Sequence, residues 1–74
     1  MDGVTPVAGA LTRREAEVLR LLARGCSYRE IGEQLGVSVN TVATHIKKLY
    51  AKLGVRSAAA AVMRGVELRL IGTR

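Results

Sequence analysis

Apolar residues recur along this chain at spacings of three and four, and no segment alternates polar with apolar for long enough to argue for a strand. The pattern predicts four short helices. Val18, Leu19, Leu22 and Ala23 form the apolar stripe of the first. It opens at Thr12-Arg13-Arg14-Glu15, where the threonine hydroxyl can accept from the Glu15 N–H while the carboxylate reaches back to the Thr12 N–H. Gly25 then supplies a residue able to turn left-handed and end the helix. Ser27-Tyr28-Arg29-Glu30 repeats the same box, and Ile31 and Leu35 share one face of a second helix spanning Tyr28 to Leu35.

Ser38 is a third cap without a glutamate three residues on, since Thr41 stands there, so only the forward hydrogen bond is expected. A third helix is predicted from Val39 to Leu53, closed by Gly54. Ser57 caps a fourth, predicted to run through the alanines, Val62, Met63 and Val66 to Leu70, with Gly65 a weak spot inside it. Residues 1–10, with Gly3, Pro6, Gly9 and no periodic pattern, read as a flexible leader or the remnant of a linker. The expected architecture is therefore all-α: four short helices in one domain over residues 11–74.

The second and third helices, with Gly36-Val37 between them, supply the parts of a helix-turn-helix. Gly36 permits the turn. Gly32 removes bulk one helical turn earlier, and Ile31, Leu35, Val37 and Val42 serve as apolar pegs between the helices. A glycine inside so short a helix costs about 1 kcal/mol against alanine, which points to a close approach at Gly32. Stepping about 100° per residue from Val42, the residues Ile46, Leu49 and Leu53 fall within about 40° of it and form a narrow core stripe. Asn40, Thr44, Lys47, Lys48 and Ala51 occupy the opposite side. No Asp or Glu occurs from Gly36 to Val66, so that side is polar, basic and free of carboxylates.

Composition narrows the function. Seventy-four residues with 49% hydrophobic but only 3% aromatic content allow one small aliphatic core and no large enzyme. Twelve Lys and Arg against six Asp and Glu give a net charge of +6, which makes nucleic acid the leading partner and an anionic membrane surface the weaker one. A cationic membrane helix would concentrate its basic residues and carry Trp or Phe anchors, and neither is present. Lysines on a helix are usually just a solvated face. Turn chemistry, a close-packing glycine, an acid-free helix and overall basicity coincide here, which favours the functional reading.

No constellation argues for catalysis, a metal or a cofactor. His45 is the single histidine and Cys26 the single cysteine, too few for a zinc site. His45 reads as a boundary residue near a nucleic-acid backbone and Cys26 as a small apolar spacer. Glu15 and Glu30 are accounted for by their caps, and Glu17 by a neighbouring arginine. With no secretory signal or spanning apolar run, the default address is the cytoplasm.

From Leu11 to about Ile71 the sequence resembles the LuxR-type helix-turn-helix domain of bacterial response regulators and quorum-sensing regulators. The matching words are Leu11-Thr12, Arg14-Glu15, Glu17-Val18-Leu19, Gly25, Ser27, Glu30-Ile31, Ser38, Thr41-Val42, His45, Lys52-Leu53-Gly54-Val55 and Ala61-Val62. The resemblance implies sequence-specific binding of double-stranded DNA, with the third helix in the major groove. Thr44 and Lys47, with Asn40 on the same face, are the base-reading candidates; Ser38, Thr41, His45 and Lys48 belong at or near the phosphates. It also implies that the fourth helix pairs two copies into a homodimer. Ala58, Ala59, Val62, Met63 and Val66 are the candidates for that contact, because small residues allow close approach. RNA polymerase stands as a further candidate partner.

Three departures from the family pattern bear on this. Ala43 occupies a position where relatives carry longer base-contacting side chains, which makes direct readout sparse. Ala58 replaces a common arginine, for which Arg56 is a neighbouring substitute. Gly32 stands where alanine is commoner and reads as a conservative change. Two other functions stay open at this point. Ser27-Tyr28-x-Glu30-Ile31 also resembles the promoter-reading region of sigma factors, although the Lys52-Leu53-Gly54-Val55 ending and the Ser57-capped helix favour the LuxR type. A protein-interaction module with incidental DNA affinity is the alternative from a different class.

Overall fold

The structure, a computed structural model, describes residues 11–71. The expected leader at residues 1–10 lies outside them. Four helices follow one another: α1 (Arg13–Ala23), α2 (Tyr28–Leu35), α3 (Val39–Leu53) and α4 (Ala58–Glu67), with no strand among the described residues. Both expected capping boxes form. Thr12 Oγ1 accepts from the Glu15 N–H at 3.0 Å while Glu15 Oε1 accepts from the Thr12 N–H at 2.9 Å. Ser27 and Glu30 do the same at 3.1 and 2.7 Å. Ser38 makes the forward bond alone, accepting from the Thr41 N–H at 3.1 Å.

α1 and α3 make the central pair, and α2 and α4 each pack against both kinds of surface they offer: α2 against α3 and α1, α4 against α1 and α3. The core is aliphatic throughout. Val18, Leu19, Leu21 and Leu22 of α1 meet Ile31 of α2, Val42, Ile46, Leu49 and Leu53 of α3, and Ala61 of α4. Burying each such Leu, Ile or Val contributes about 1.5–3 kcal/mol relative to exposure, which an aromatic-poor chain of this size must collect from many small contributions. The α1 stripe differs from expectation by one position: Ala23 is exposed and Leu21 is buried. The helix is covered on two sides, by α2 as well as by α3 and α4, so its buried surface is wider than a single stripe of threes and fours.

The turn is built as the glycine spacing implies. Gly36 is left-handed at φ 71°, and the Gly32 carbonyl accepts from the Val37 N–H at 2.9 Å, ending α2 so that Ser38 can begin α3. A Cβ on Gly32 would stand 2.7 Å from the Val37 carbonyl oxygen and 3.5 Å from Val42 Cγ2. Its replacement of alanine is therefore not conservative in this packing, since any side chain would push the turn away from α2.

α4 ends earlier than the apolar pattern implies. Leu68 caps it, Arg69 is left-handed at φ 60°, and the Leu70 N–H turns back to the Gly65 carbonyl at 2.8 Å. Leu70 thus packs on the core from a hook after the helix rather than from within it. Gly65 is a point of contact rather than a weak spot. A Cβ there would come within 2.9 Å of Leu19 Cδ2 and 3.2 Å of Ile71 Cγ1, so the missing side chain is what lets α4 and its hook close on α1.

Gly32→Val is expected to lower the unfolding free energy by about 1–3 kcal/mol through overpacking against the turn. Chemical denaturation followed by circular dichroism measures it, and an unchanged midpoint would show that the α2–α3 approach tolerates a side chain.

Candidate nucleic-acid interface

α3 presents its two sides to different surroundings. Val42 and Leu49 are fully buried, Ile46 and Leu53 nearly so. Asn40, Thr44, Lys47, Lys48 and Ala51 are exposed, as are Ser38, Thr41 and Ala43, while His45 is half-buried at the margin. The base-reading and phosphate candidates are thus brought together on one helix and its cap, and all but His45 stand in solvent. Ser38 Oγ lies 3.0 Å from Thr41 Oγ1, and the Thr44 hydroxyl donates to the Asn40 carbonyl one turn back at 3.1 Å. With the hydroxyls held by their own helix, the cap presents the positive end of the α3 dipole beside uncharged oxygens. The candidates for self-association lie elsewhere, on α4. Ala58, Ala59 and Met63 are exposed, Met63 by 65%, and Val62 and Val66 are half-buried.

Two features that orient α3 were not legible as such. Lys52 Nζ donates to Glu15 Oε1 at 2.7 Å, on the same oxygen that accepts from the Thr12 N–H. Glu15 is 3% exposed, the one buried charged residue in the described core. The sequence carried a signal for it: Glu15, Val18, Leu19 and Leu22 follow the i, i+3, i+4, i+7 rule, so the carboxylate sits at the head of the α1 apolar stripe. Lys52 therefore serves the architecture, and the exposed lysines on α3 are Lys47 and Lys48. The second feature is the meeting of the chain's two tyrosines. Burial raises the Tyr50 phenol above its ordinary value, and the neighbouring Tyr28 hydroxyl across the α2–α3 contact adds to the rise. Glu17 pairs with Arg14 at 3.6 Å, as the spacing implies.

Residue chemistry elsewhere is sparse. Among the described residues there is no group of three His, Cys, Asp or Glu placed to hold a metal ion, and no helix is long and apolar enough to cross a membrane.

A short second helix joined by a glycine turn to a third, whose outer face is exposed, basic and without carboxylates, defines a helix-turn-helix module of the nucleic-acid-binding class. The chain belongs to the family described as bacterial regulatory proteins, luxR family, which matches residues 9–64, and is a LuxR-type helix-turn-helix DNA-binding domain. It is 47% identical over 66 residues to the probable transcriptional regulatory protein NarL of Mycobacterium tuberculosis, covering 89% of this chain and 31% of that protein. Among solved structures it matches the transcription factor GerE with a TM-score of 0.78 and 37% identity, over 84% of this chain and 92% of that one. It also matches the response regulator ChrA of a heme-sensing two-component system, with a TM-score of 0.82 and 42% identity, over 84% of this chain and 31% of that one. The chain thus spans about a third of the length of NarL and of ChrA.

The Glu15–Lys52 pair makes stability depend on pH in a defined direction. Burial alone would raise the Glu15 carboxyl; the Lys52 ammonium and the Thr12 N–H and hydroxyl outweigh it and hold the group below its ordinary value of 4.5. A carboxyl depressed in the folded state contributes stability above its unfolded value and loses it as pH falls through the folded one. The melting temperature is expected to drop as pH is lowered below 4.5. Lys52→Met should flatten that acid dependence and lower stability at neutral pH by about 1.5–3 kcal/mol, the range for a hydrogen bond to a charged group. A variant with unchanged stability and acid profile would show the pair to be energetically idle.

Proposed function

We propose that this domain reads duplex DNA by laying the outer face of α3 in the major groove, as two copies joined through α4. The observation that carries the reading is the exposed, carboxylate-free side of α3, which bears Lys47 and Lys48 while its other side is locked into the core. A groove about 12 Å wide admits a helix presented in this way. Asn40, Thr44 and Lys47 lie on the part of the face that points away from the core, where base edges would be met. Ser38 and Thr41 at the helix start, with His45 and Lys48 along one flank, take the phosphates, where the helix N-terminus favours negative charge. Lysines at the phosphates release counterions and supply affinity without sequence information; contacts to base edges discriminate.

The pairing reading is supported by the surface of α4. Ala58, Ala59 and Met63 leave an apolar strip uncovered, continuous with the half-buried Val62 and Val66, and no acidic residue interrupts it before Glu67. A strip of small residues around one flexible methionine suits an isologous contact between identical helices. A regulator of this kind works in the cytoplasm and meets RNA polymerase at the promoter.

Selection of bound duplexes from a random pool, repeated at two salt concentrations, tests the reading. A two-fold-symmetric consensus and an affinity that falls steeply with salt are expected; binding without any preferred sequence would overturn it. On the selected duplex, Lys48→Ala should weaken binding to all sequences alike and reduce the salt slope by about 1, whereas Lys47→Ala should cost about 1–3 kcal/mol and relax the preference at one position. Met63→Glu should leave the fold intact and abolish the two-copy complex on DNA, read by mobility shift and ultracentrifugation; a surviving two-copy complex places the contact elsewhere.

A further inference from the structure

The exposed ridges of α3 carry apolar as well as polar side chains. Val39, at the first position of the helix, is 46% exposed, one of only three large apolar residues so exposed among those described. Ala43 and Lys47 follow it at steps of four, and all three stand in solvent on one ridge. Asn40, Thr44 and Lys48 make the next ridge. On that second ridge the Thr44 hydroxyl donates to the Asn40 carbonyl at 3.1 Å, so its donor hydrogen is used within the helix. Val39 and Ala43 therefore stand side by side as apolar residues on one flank of the reading face, with Thr44 nearer its centre. Asn40, Lys47 and Lys48 place hydrogen-bonding groups around them.

Nearly half of the Val39 surface faces water, and exposed methyl groups beside Lys47 and Lys48 have a natural counterpart in the major groove. The thymine C5-methyl is the one apolar group that the groove displays, and alanine, valine and threonine methyls are its complement. We infer that Val39, Ala43 and the Thr44 methyl read thymine methyl groups, so that the domain's base preference rests on apolar contact more than on hydrogen bonding. The inference deepens the DNA-reading assignment above and rests on it. Lys48 holds the helix to the polyanion, Lys47 and Asn40 reach hydrogen-bonding base edges, and the methyl groups select steps that carry thymine on the strand facing them.

Removing only the methyl provides the test. In the duplex selected by the whole 74-residue chain, each dT of a half-site is replaced in turn by dU, which keeps every hydrogen-bonding group and deletes the methyl. At one or two positions per half-site a loss of roughly 3–10-fold in affinity is expected, the scale of one or two buried methyl contacts. Val39→Ser and Ala43→Ser, both surface changes checked by thermal melting, should erase the difference between dT and dU at those positions. Lys47→Ala should leave that difference in place while weakening both duplexes. A preferred duplex that is indifferent to the loss of every thymine methyl overturns this inference and leaves DNA reading intact; a pool that yields no preferred duplex overturns the DNA-reading assignment and this inference together.

Discussion

Everything the domain presents to a partner follows from α3 being gripped along one side only. Val42, Ile46, Leu49 and Leu53 enter the core at intervals of four, three and four, and α1, α2 and α4 all close on that stripe. With no Phe or Trp in the chain, no single residue dominates this grip. It is a sum of aliphatic contacts, each worth about 1.5–3 kcal/mol, and its narrowness is what leaves more than half of the helix circumference in solvent. A wider apolar face would have anchored α3 more firmly and buried Lys47 or Lys48.

A narrow stripe fixes which side faces in but leaves rotation and tilt softly determined, and polar contacts at both ends of α3 supply the missing precision. At the start, Gly32 brings α2 so near that a methyl group would strike the Val37 carbonyl, and Ser38 sets the first turn. Near the end, Lys52 is drawn to Glu15, whose oxygen is already held by the Thr12 N–H. The α1 cap thereby becomes an anchor for α3. A carboxylate 3% exposed would be a liability without that ammonium, since burial alone pushes its proton affinity up. One residue thus caps a helix and orients another 37 positions away.

The local chemistry of the chain was plain to read and its long-range chemistry was not. Thr12, Ser27, Ser38 and Ser57 cap the helices that they were expected to cap, and the bounds of α2 and α3 fall where the glycines put them. Caps and turns depend on residues within four of one another, so the sequence displays them directly. The same locality made the outer face of α3 visible, because one helix determines it. The end of α4 depends instead on Ile71 and Leu70 folding back over Gly65, and the burial of Leu21 on α2 covering a second side of α1. The Lys52 partner and the Tyr28–Tyr50 meeting are likewise products of packing between helices. Val39 was legible as the start of a helix, but its exposure depends on how α2 and the turn lie against that end.

The sparse polarity of the reading face also bears on why such a domain would act in pairs. On the proposed reading, one copy would bring only a few hydrogen-bonding side chains and some exposed methyl groups to the bases, and each base pair read well is worth about 1–3 kcal/mol of discrimination. Two or three such positions give roughly 2–9 kcal/mol, the lower part of which cannot single out one site among the roughly million or more competing positions of a genome. A second copy joined as proposed through α4 would double the discrimination, because well-separated base contacts add. Such a pair would also make the second half-site an intramolecular encounter, which raises affinity without further lysines and without the non-specific binding that they bring. On that reading the apolar strip on α4 and the sparse polar face of α3 would complement each other, with specificity drawn from repetition of a modest contact.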